Sequence, residues 1–214
     1  MNVSDILSSN RLINLDKIKS LKTKNFLKKF CILDEKDLVR MMPVCYLEGV
    51  SEDFNQHVKS YELNATVEKL WKAYTQIPPR VSWCGRKLCF SFSYNQSTKK
   101  FHYPNDHYDG LKESQLIFIE VRFLFGLIKL AVTHQVNKIS EKAKTIKLCY
   151  MEGGASSGSQ ILSFERISDD KTRVTHRTYY KSNSNFRDKY LYPFLHERII
   201  NQFHQNVFRY MEVN

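Results

Sequence analysis

The chain has 214 residues, 42% of them hydrophobic and 26% charged, which excludes wholesale disorder and provides for a packed core. That length holds one substantial domain with an extension, or two small domains. A formal charge of +11 points to anionic partners such as membrane headgroups, nucleic acid or acidic protein, or serves solubility alone.

MNVSDILSSN opens the chain without the basic start and apolar core of a signal peptide. NLDKIKSLKTKNFLKKF (14–30) places Leu15, Ile18 and Leu21, then Phe26, Leu27 and Phe30, among six lysines at helical spacing, with a break expected near Asn25. Such a basic amphipathic segment could lie on an anionic membrane, or it could pack its apolar side on the main domain. Asp34 is placed to cap EKDLVRMM, which Pro43 ends. Residues 1–55 are thus expected to form a basic helical extension to a domain at 56–214.

HVKSYELNA (57–65) reads as a strand. TVEKLWKAYTQI (66–77) reads as a helix with Asn64 or Thr66 near its N-cap. Val67, Leu70, Trp71 and Tyr74 share one face, and Pro78-Pro79 is the stop. KLCFSFSY (87–94) alternates as a strand with Leu88, Phe90, Phe92 and Tyr94 on one side. STKKFHYPNDHYDG (97–110) is polar and turn-rich, a mobile loop with at most a short strand, and its His102, His107, Asp106 and Asp109 read as solvated.

LIFIEVRFLFGLIKLAV (116–132) is interrupted by Glu120, Arg122 and Lys129 and falls short of about 20 apolar residues, so it reads as sheet and not as a membrane span. Glu120 and Arg122, two apart, are expected to meet solvent or each other. Strands are expected at about 114–125, 127–138, 144–152, 159–168 and 172–181, separated by Gly126, SEKAK, GGASSG and SDDK. Connections this short join antiparallel neighbours. EGGASSGSQ (152–160) has no P-loop lysine and reads as a hairpin loop, at the rim of any cavity. A long amphipathic helix runs from about Asp188 to Met211. Sheet and helix must each bury an apolar face, and they cover each other in an α+β arrangement.

The five cysteines, Cys31, Cys45, Cys84, Cys89 and Cys149, form no CxxC pair, and an odd number excludes a fully paired disulfide framework. Reduced thiols and a cytoplasmic location are the expectation.

YELNATVEKLWKAYTQIPPRVSW (61–83) resembles the opening of the START-like superfamily, also called SRPBCC, which includes birch-pollen-allergen-like proteins and polyketide cyclases. The resemblance rests on an opening strand, a helix with an apolar–Trp pair (Leu70-Trp71), a proline-marked turn and Trp83. By element order it covers about residues 57 to 212, at motif level only the opening, and residues 1–55 lie outside it. It implies a helix-grip fold, with a curved antiparallel sheet wrapped around the C-terminal helix and a ligand cavity between them. No motif specific to one activity accompanies it.

At 100° per residue, His196 falls near the middle of the last helix's apolar arc, flanked by Tyr192, Ile199 and Phe203 on one side and Ile200, Val207 and Met211 on the other. His204 and Glu197 fall nearer the edge, with Arg198, Asn201, Gln202, Gln205 and Arg209 in solvent. In TRVTHRTYYK (172–181) the charges of Arg173, Arg177 and Lys181 turn outward, which turns His176 and Tyr180 inward. By the same alternation His134 and Tyr150 face in. The candidate ligand-binding residues are therefore His134, Tyr150, His176, Tyr180, Tyr192, His196, Ile200 and Phe203.

Those histidines could be core residues with local hydrogen-bond partners, or the few polar groups that orient a mostly apolar ligand. His196 or His176 could also act as general acid or base on a bound carbonyl compound, in the manner of a polyketide-cyclase-like enzyme. His196 and His204 stand about 12 Å apart along the axis, too far to share one ion, so neither metal nor cofactor is expected. Arg187 could reach an anionic ligand group or water. The function expected is binding of a small hydrophobic ligand, lipid-like or polyketide-like, as carrier or sensor. Adaptor roles on anionic membrane or nucleic acid are the remaining class. Nucleic acid is disfavoured, since no strand face interleaves aromatic and basic residues.

Overall fold

Period-two alternation becomes an eight-stranded antiparallel sheet in this computed structural model, which describes residues 11–50 and 53–213. The strands are β1 Asn55–Leu63, β2 Leu88–Asn95, β3 Lys100–His102, β4 Gln115–Phe123, β5 Ile128–Ser140, β6 Thr145–Tyr150, β7 Ser157–Arg166 and β8 Thr172–Lys181. Their order is β1-β8-β7-β6-β5-β4-β2-β3, so β4 to β8 follow as successive hairpins and β1 closes against β8.

Thr66 caps α3 (Val67–Gln76) by accepting the Lys69 N–H at 3.2 Å. Pro79 occupies the first turn of a short α4 (Pro79–Ser82), where its missing N–H leaves no bond unmade. A π-helical turn at Arg187–Leu191 leads into α5 (Tyr192–Val213). Ile199, Phe203 and Val207 of α5 join Leu70, Trp71 and Tyr74 of α3 and the sheet residues Val136, Ile146, Leu162 and Val174 in one core. The result is the α+β helix-grip architecture, a curved sheet around a long C-terminal helix.

Residues 14–30 depart from the expected helix with a break at Asn25. A 3-10 turn spans Leu15–Lys17, and α1 (Leu21–Lys29) begins after Ser20, whose hydroxyl accepts the Thr23 N–H. The break lies at Ser20 because a serine hydroxyl caps a helix, while Asn25 sits within one. Ile18 and Leu27 are buried as a consequence, whereas Leu21 is 67% exposed and Phe30 41%. Asp34 caps α2 (Glu35–Arg40) in a capping box with Asp37. These pieces cover the sheet's outer face, where Ile13, Ile18, Leu27, Ile32 and Leu38 meet Phe92, Tyr94, Leu116 and Phe118.

β4 is accordingly buried on both faces, with Leu116 and Phe118 under the N-terminal segment and Ile117, Ile119 and Val121 in the inner core. Glu120 does not meet solvent. It is 3% exposed and accepts Ser20 Oγ–H and Arg122 Nε–H, each at 2.7 Å. Burial pushes its pKa up, but the bonds from Arg122 and Ser20 outweigh this and hold it below the ordinary carboxylate value.

β2 does not keep its four large residues on one side. Its register with β4 shifts between Phe90 and Phe92, so Leu88 and Phe90 join the inner core while Phe92 and Tyr94 join the outer one. The bulge turns Ser91 outward along with Phe92, and the Ser91 hydroxyl bonds that of Thr23 in α1 at 2.8 Å.

The expectation of reduced thiols is overturned at one pair, since Cys45 and Cys149 form a disulfide across 104 residues of sequence. Spacing could not reveal it, because the segment before β1 folds back between β6 and β7. There Val44 N–H donates to Tyr150 O at 2.8 Å and Val44 O accepts from Gly158 N–H at 2.7 Å. Cys31, Cys84 and Cys89 remain free. Among the described residues no helix is long and apolar enough to cross a membrane. Within 97–110, His102 is buried and bonds Asp106 O at 3.1 Å, while exposed His107 lies 3.3 Å from Asp109.

Candidate functional site

A cavity of about 250 Å³ lies between the inner face of β4–β6 and the first half of α5. Its walls are Trp83 after α4, Ile119 and Val121 of β4, Ile128, Leu130 and Val132 of β5, and Leu191, Leu195 and Ile199 beside α5. Gly154, Ala155 and Ser156 of the β6–β7 loop form part of the rim, where the glycine-rich stretch was expected.

Of the eight residues singled out from sequence, His134, Tyr150, Tyr192, His196 and Ile200 line this cavity, while His176, Tyr180 and Phe203 do not. Tyr180 is buried with its ring stacked on Tyr192 at 3.7 Å and its hydroxyl donating to Asp188 O at 2.9 Å. Phe203 stacks on Trp83 at 4.3 Å and lines a separate space of about 30 Å³. His176 and Tyr180 face inward as expected, but β8 lies two strands beyond β6, where α5 presses directly on the sheet. Inward orientation follows from alternation, whereas position across the sheet follows from strand order, which alternation does not contain.

His176 belongs to a buried hydrogen-bond chain behind the cavity. Its Nδ1 lies 2.9 Å from His204 Nε2, and its Nε2 lies 3.1 Å from Gln160 Oε1. Gln160 Nε2 is 3.1 Å from His134 Nε2 and 2.9 Å from Tyr150 Oη. The hydroxyls of Tyr150 and Tyr192 bond each other, and Tyr74 bonds His204 Nδ1. His204, placed by the wheel near the edge of the arc, is completely buried.

With all rings neutral and the Gln160 amide oriented as it stands, the donors and acceptors follow in one order. The Gln160 carbonyl must accept from His176 Nε2–H, which makes His176 Nδ1 an acceptor for His204 Nε2–H and His204 Nδ1 an acceptor for the Tyr74 hydroxyl. The Gln160 amide then donates to His134 Nε2, which leaves the His134 proton on Nδ1.

His134 Nδ1 and His196 Nε2 are both buried without a partner among the described residues, and both rings line the cavity. His196 Nδ1 lies 3.3 Å from His57 Nδ1, and His57 Nε2 lies 3.8 Å from the Glu197 carboxylate. If His57 directs its proton at Glu197, His196 must donate from Nδ1, and its Nε2 is a bare acceptor. Two rings of the cavity wall thus each keep a nitrogen without a protein partner, an N–H in His134 and, with His57 so oriented, an acceptor in His196, both atoms lying beneath the wall's surface.

The rings are neutral because burial opposes charge. It lowers His134 to about 4 and, with the nearby His196, lowers His204 to about 3. His176 and His196 are held well below the ordinary imidazole value by burial first and by neighbouring histidines second. Burial also raises Tyr192 and Tyr74, keeping both phenols protonated. Arg187 brings charge to the cavity, but it already bonds Ser156 Oγ at 2.8 Å and lies 3.4 Å from Asp188. Among the described residues no group of three or more His, Cys, Asp or Glu side chains is placed to hold a metal ion.

Gln160, His57 and Trp83 are the site residues that sequence reasoning passed over. Gln160 carried a usable signal, since it shares parity with Leu162 and Phe164, both buried in the core. His57 carried none, because the same face of β1 bears Lys59, which reaches back 2.7 Å to Glu197 on α5.

No protein-family model matches the chain, and no curated protein matches it. Solved structures do. Norcoclaurine synthase from Thalictrum flavum, a point mutant in complex with a transition-state analogue, is 12% identical with a TM-score of 0.52, over 74% of this chain and 96% of that one. Major latex-like protein 151 from Panax ginseng is 7% identical with a TM-score of 0.54, over 74% and 97%. A START superfamily protein from Mycobacterium smegmatis is 11% identical with a TM-score of 0.51, over 73% and 97%. This chain has the START-like, birch-pollen-allergen-like helix-grip fold.

Proposed function

We propose that the chain binds a small hydrophobic molecule, lipid-like or polyketide-like, between sheet and α5, as a carrier or sensor. The observation that carries this reading is a largely apolar cavity whose wall includes two imidazole rings, His134 and His196, each with a buried nitrogen that has no protein partner. A buried polar group without a partner costs about 1–3 kcal/mol, and a ligand oxygen or hydroxyl placed between the rings would recover it. The rest of the ligand would be apolar, as pockets of this type require. We take residues 1–55 as an extension that supports this unit.

Native mass spectrometry of protein purified from its natural host tests the reading. A retained mass that is released on denaturation, and is depleted in His196→Leu, is expected. Absence of any retained mass, together with no thermal shift across a panel of fatty acids, sterols and aromatic ketones, would overturn it.

A second reading is an enzyme with a cavity histidine as general acid or base, in the manner of polyketide cyclases. The ordered chain from Tyr74 through His204, His176 and Gln160 to His134 favours it, since it holds the His134 ring in one orientation at the cavity wall. One protein of similar fold is norcoclaurine synthase. Under this reading His196→Gln or His134→Gln retains ligand and loses about 10²–10⁴-fold in rate. Under the carrier reading the same changes weaken binding modestly and there is no rate to lose.

A further inference from the structure

The turn between β4 and β5, FLFGL (123–127), is built unlike a solvent-facing loop. Phe125 is fully exposed, at 109%, Leu127 is 85% exposed and Leu124 57%. Leu124 and Phe125 also adopt positive φ angles of 46° and 58°, a region that favours glycine or asparagine over bulky side chains. Two large apolar residues are therefore held in a strained conformation with their side chains in water. A second apolar group stands at the start of α5, where Phe186, Tyr190 and Phe194 are 64%, 59% and 55% exposed. The two groups belong to the segments that form the cavity, since Phe123 and Ile128 line it from the turn and Leu191 from the helix.

The charges around them are one-sided. Segments 122–130 and 186–198 carry Arg122, Lys129, Arg187, Lys189 and Arg198 against Asp188 and Glu197; Arg122 is paired with Glu120 and Arg187 with Asp188, which leaves Lys129, Lys189 and Arg198 to meet a partner. Asp188 is 2% exposed beside Arg187, and Glu197 is bonded to Lys59. Arg198 lies over the Phe194 ring at 3.9 Å and Lys189 over Tyr190 at 5.6 Å, so cation and apolar surface are presented together. A second copy of this chain would bring like charges face to face. Anionic headgroups would neutralise them while the acyl region took up Phe125 and Leu127.

We propose that the β4–β5 turn and the start of α5 form a docking surface for an anionic lipid bilayer, which sets the cavity mouth against the membrane. Phe125 and Leu127 enter the acyl boundary, and the flanking cations hold the headgroups. This surface is distinct from the lysine-rich α1, which lies on the outer face of the sheet with Leu27 buried and Phe26 packed beside it. The proposal goes beyond ligand binding, and it can succeed or fail with the cavity empty.

Vesicle flotation of the full chain tests it, with phosphatidylcholine vesicles and with vesicles one third phosphatidylserine. Binding to the anionic vesicles is expected, weakening as salt rises. The double change Phe125→Asp and Leu127→Asp is expected to weaken it at least about tenfold, with an unchanged thermal midpoint because both side chains are in solvent. Phe125→Trp should bind normally, with an emission blue shift on the vesicle. Changing Lys22, Lys28 and Lys29 together to glutamine should leave most of the binding. No binding by the wild type, equal binding by the double aspartate variant, or loss confined to the lysine variant would each overturn the proposal. So would a dimer in solution that the aspartate changes dissociate, which would make a second copy the occupant.

Discussion

His196 stands where an amphipathic helix would ordinarily carry leucine, and its ring leaves one nitrogen unmet. Its protein partner is His57, at a long 3.3 Å. His196→Leu therefore strands almost nothing, and its thermal midpoint is expected at or above that of the wild type while ligand retention falls. A structural histidine would behave oppositely, with its loss costing about 1–3 kcal/mol and roughly 2–4 °C per kcal/mol in the midpoint. Gln160 provides the contrast. It joins His176, His134 and Tyr150, and since Tyr150 keeps Tyr192, Gln160→Leu strands two buried ring nitrogens and is expected to cost about 2 kcal/mol or more, read by chemical denaturation. Both positions were open to inspection in the sequence, His196 through helical periodicity and Gln160 through its parity with Leu162. Only the histidine broke the apolar pattern conspicuously enough to be noticed. A glutamine beside serine and glycine in GSQILSF reads as ordinary polar chain.

Among the elements, the strands were legible wherever turn residues punctuated the alternation, which is why β4 to β8 lie close to their expected ranges. The faces of β2 were not legible. LCFSFSY alternates without fault, yet a bulge at Ser91 divides its large residues between two cores, and the side chains carry no mark of it. Ser91→Ala removes one bond to Thr23 and should cost about 1 kcal/mol. Deleting Ser91 should be far worse, because either Leu88 and Phe90 or Phe92 and Tyr94 must change sides. Soluble yield of the two variants separates the cases, and similar behaviour would mean that the bulge is dispensable. At Gly158, where β7 meets β8, φ is +127° and an added Cβ would lie 2.0 Å from Tyr179 O. Gly158→Ala should therefore break the start of this pairing, lowering the midpoint by several degrees or preventing folding.

For the whole molecule, the buried histidines couple stability to pH. Their folded-state values lie below the ordinary 6.5, so on acidification the unfolded chain takes up protons that the folded chain refuses. Stability is unaffected by them above about pH 6.5 and falls below it. The loss extends to about pH 4 for His134 and about pH 3 for His204. Each ring contributes up to about 1.4 kcal/mol per pH unit within its window. The shifted carboxylates Glu62, Glu120, Glu141 and Glu197 act in the same direction but only from about 4.5 downward. Urea unfolding between pH 6.5 and 5 isolates the histidines, and a flat profile there would contradict their burial as neutral rings. The N-terminal segment has its own consequence at this scale. The expected resemblance begins near residue 57, which invites dissection at that point. Phe92, Tyr94, Leu116 and Phe118 nevertheless pack against Ile13, Ile18, Leu27, Ile32 and Leu38 from before it, with Phe101 and Tyr103 beside them. A fragment beginning at residue 56 would carry a bare aromatic sheet face as well as its intended cavity. Such a fragment is expected to precipitate or to stick to its own kind, so the smallest piece that behaves as a protein is larger than the piece that resembles one.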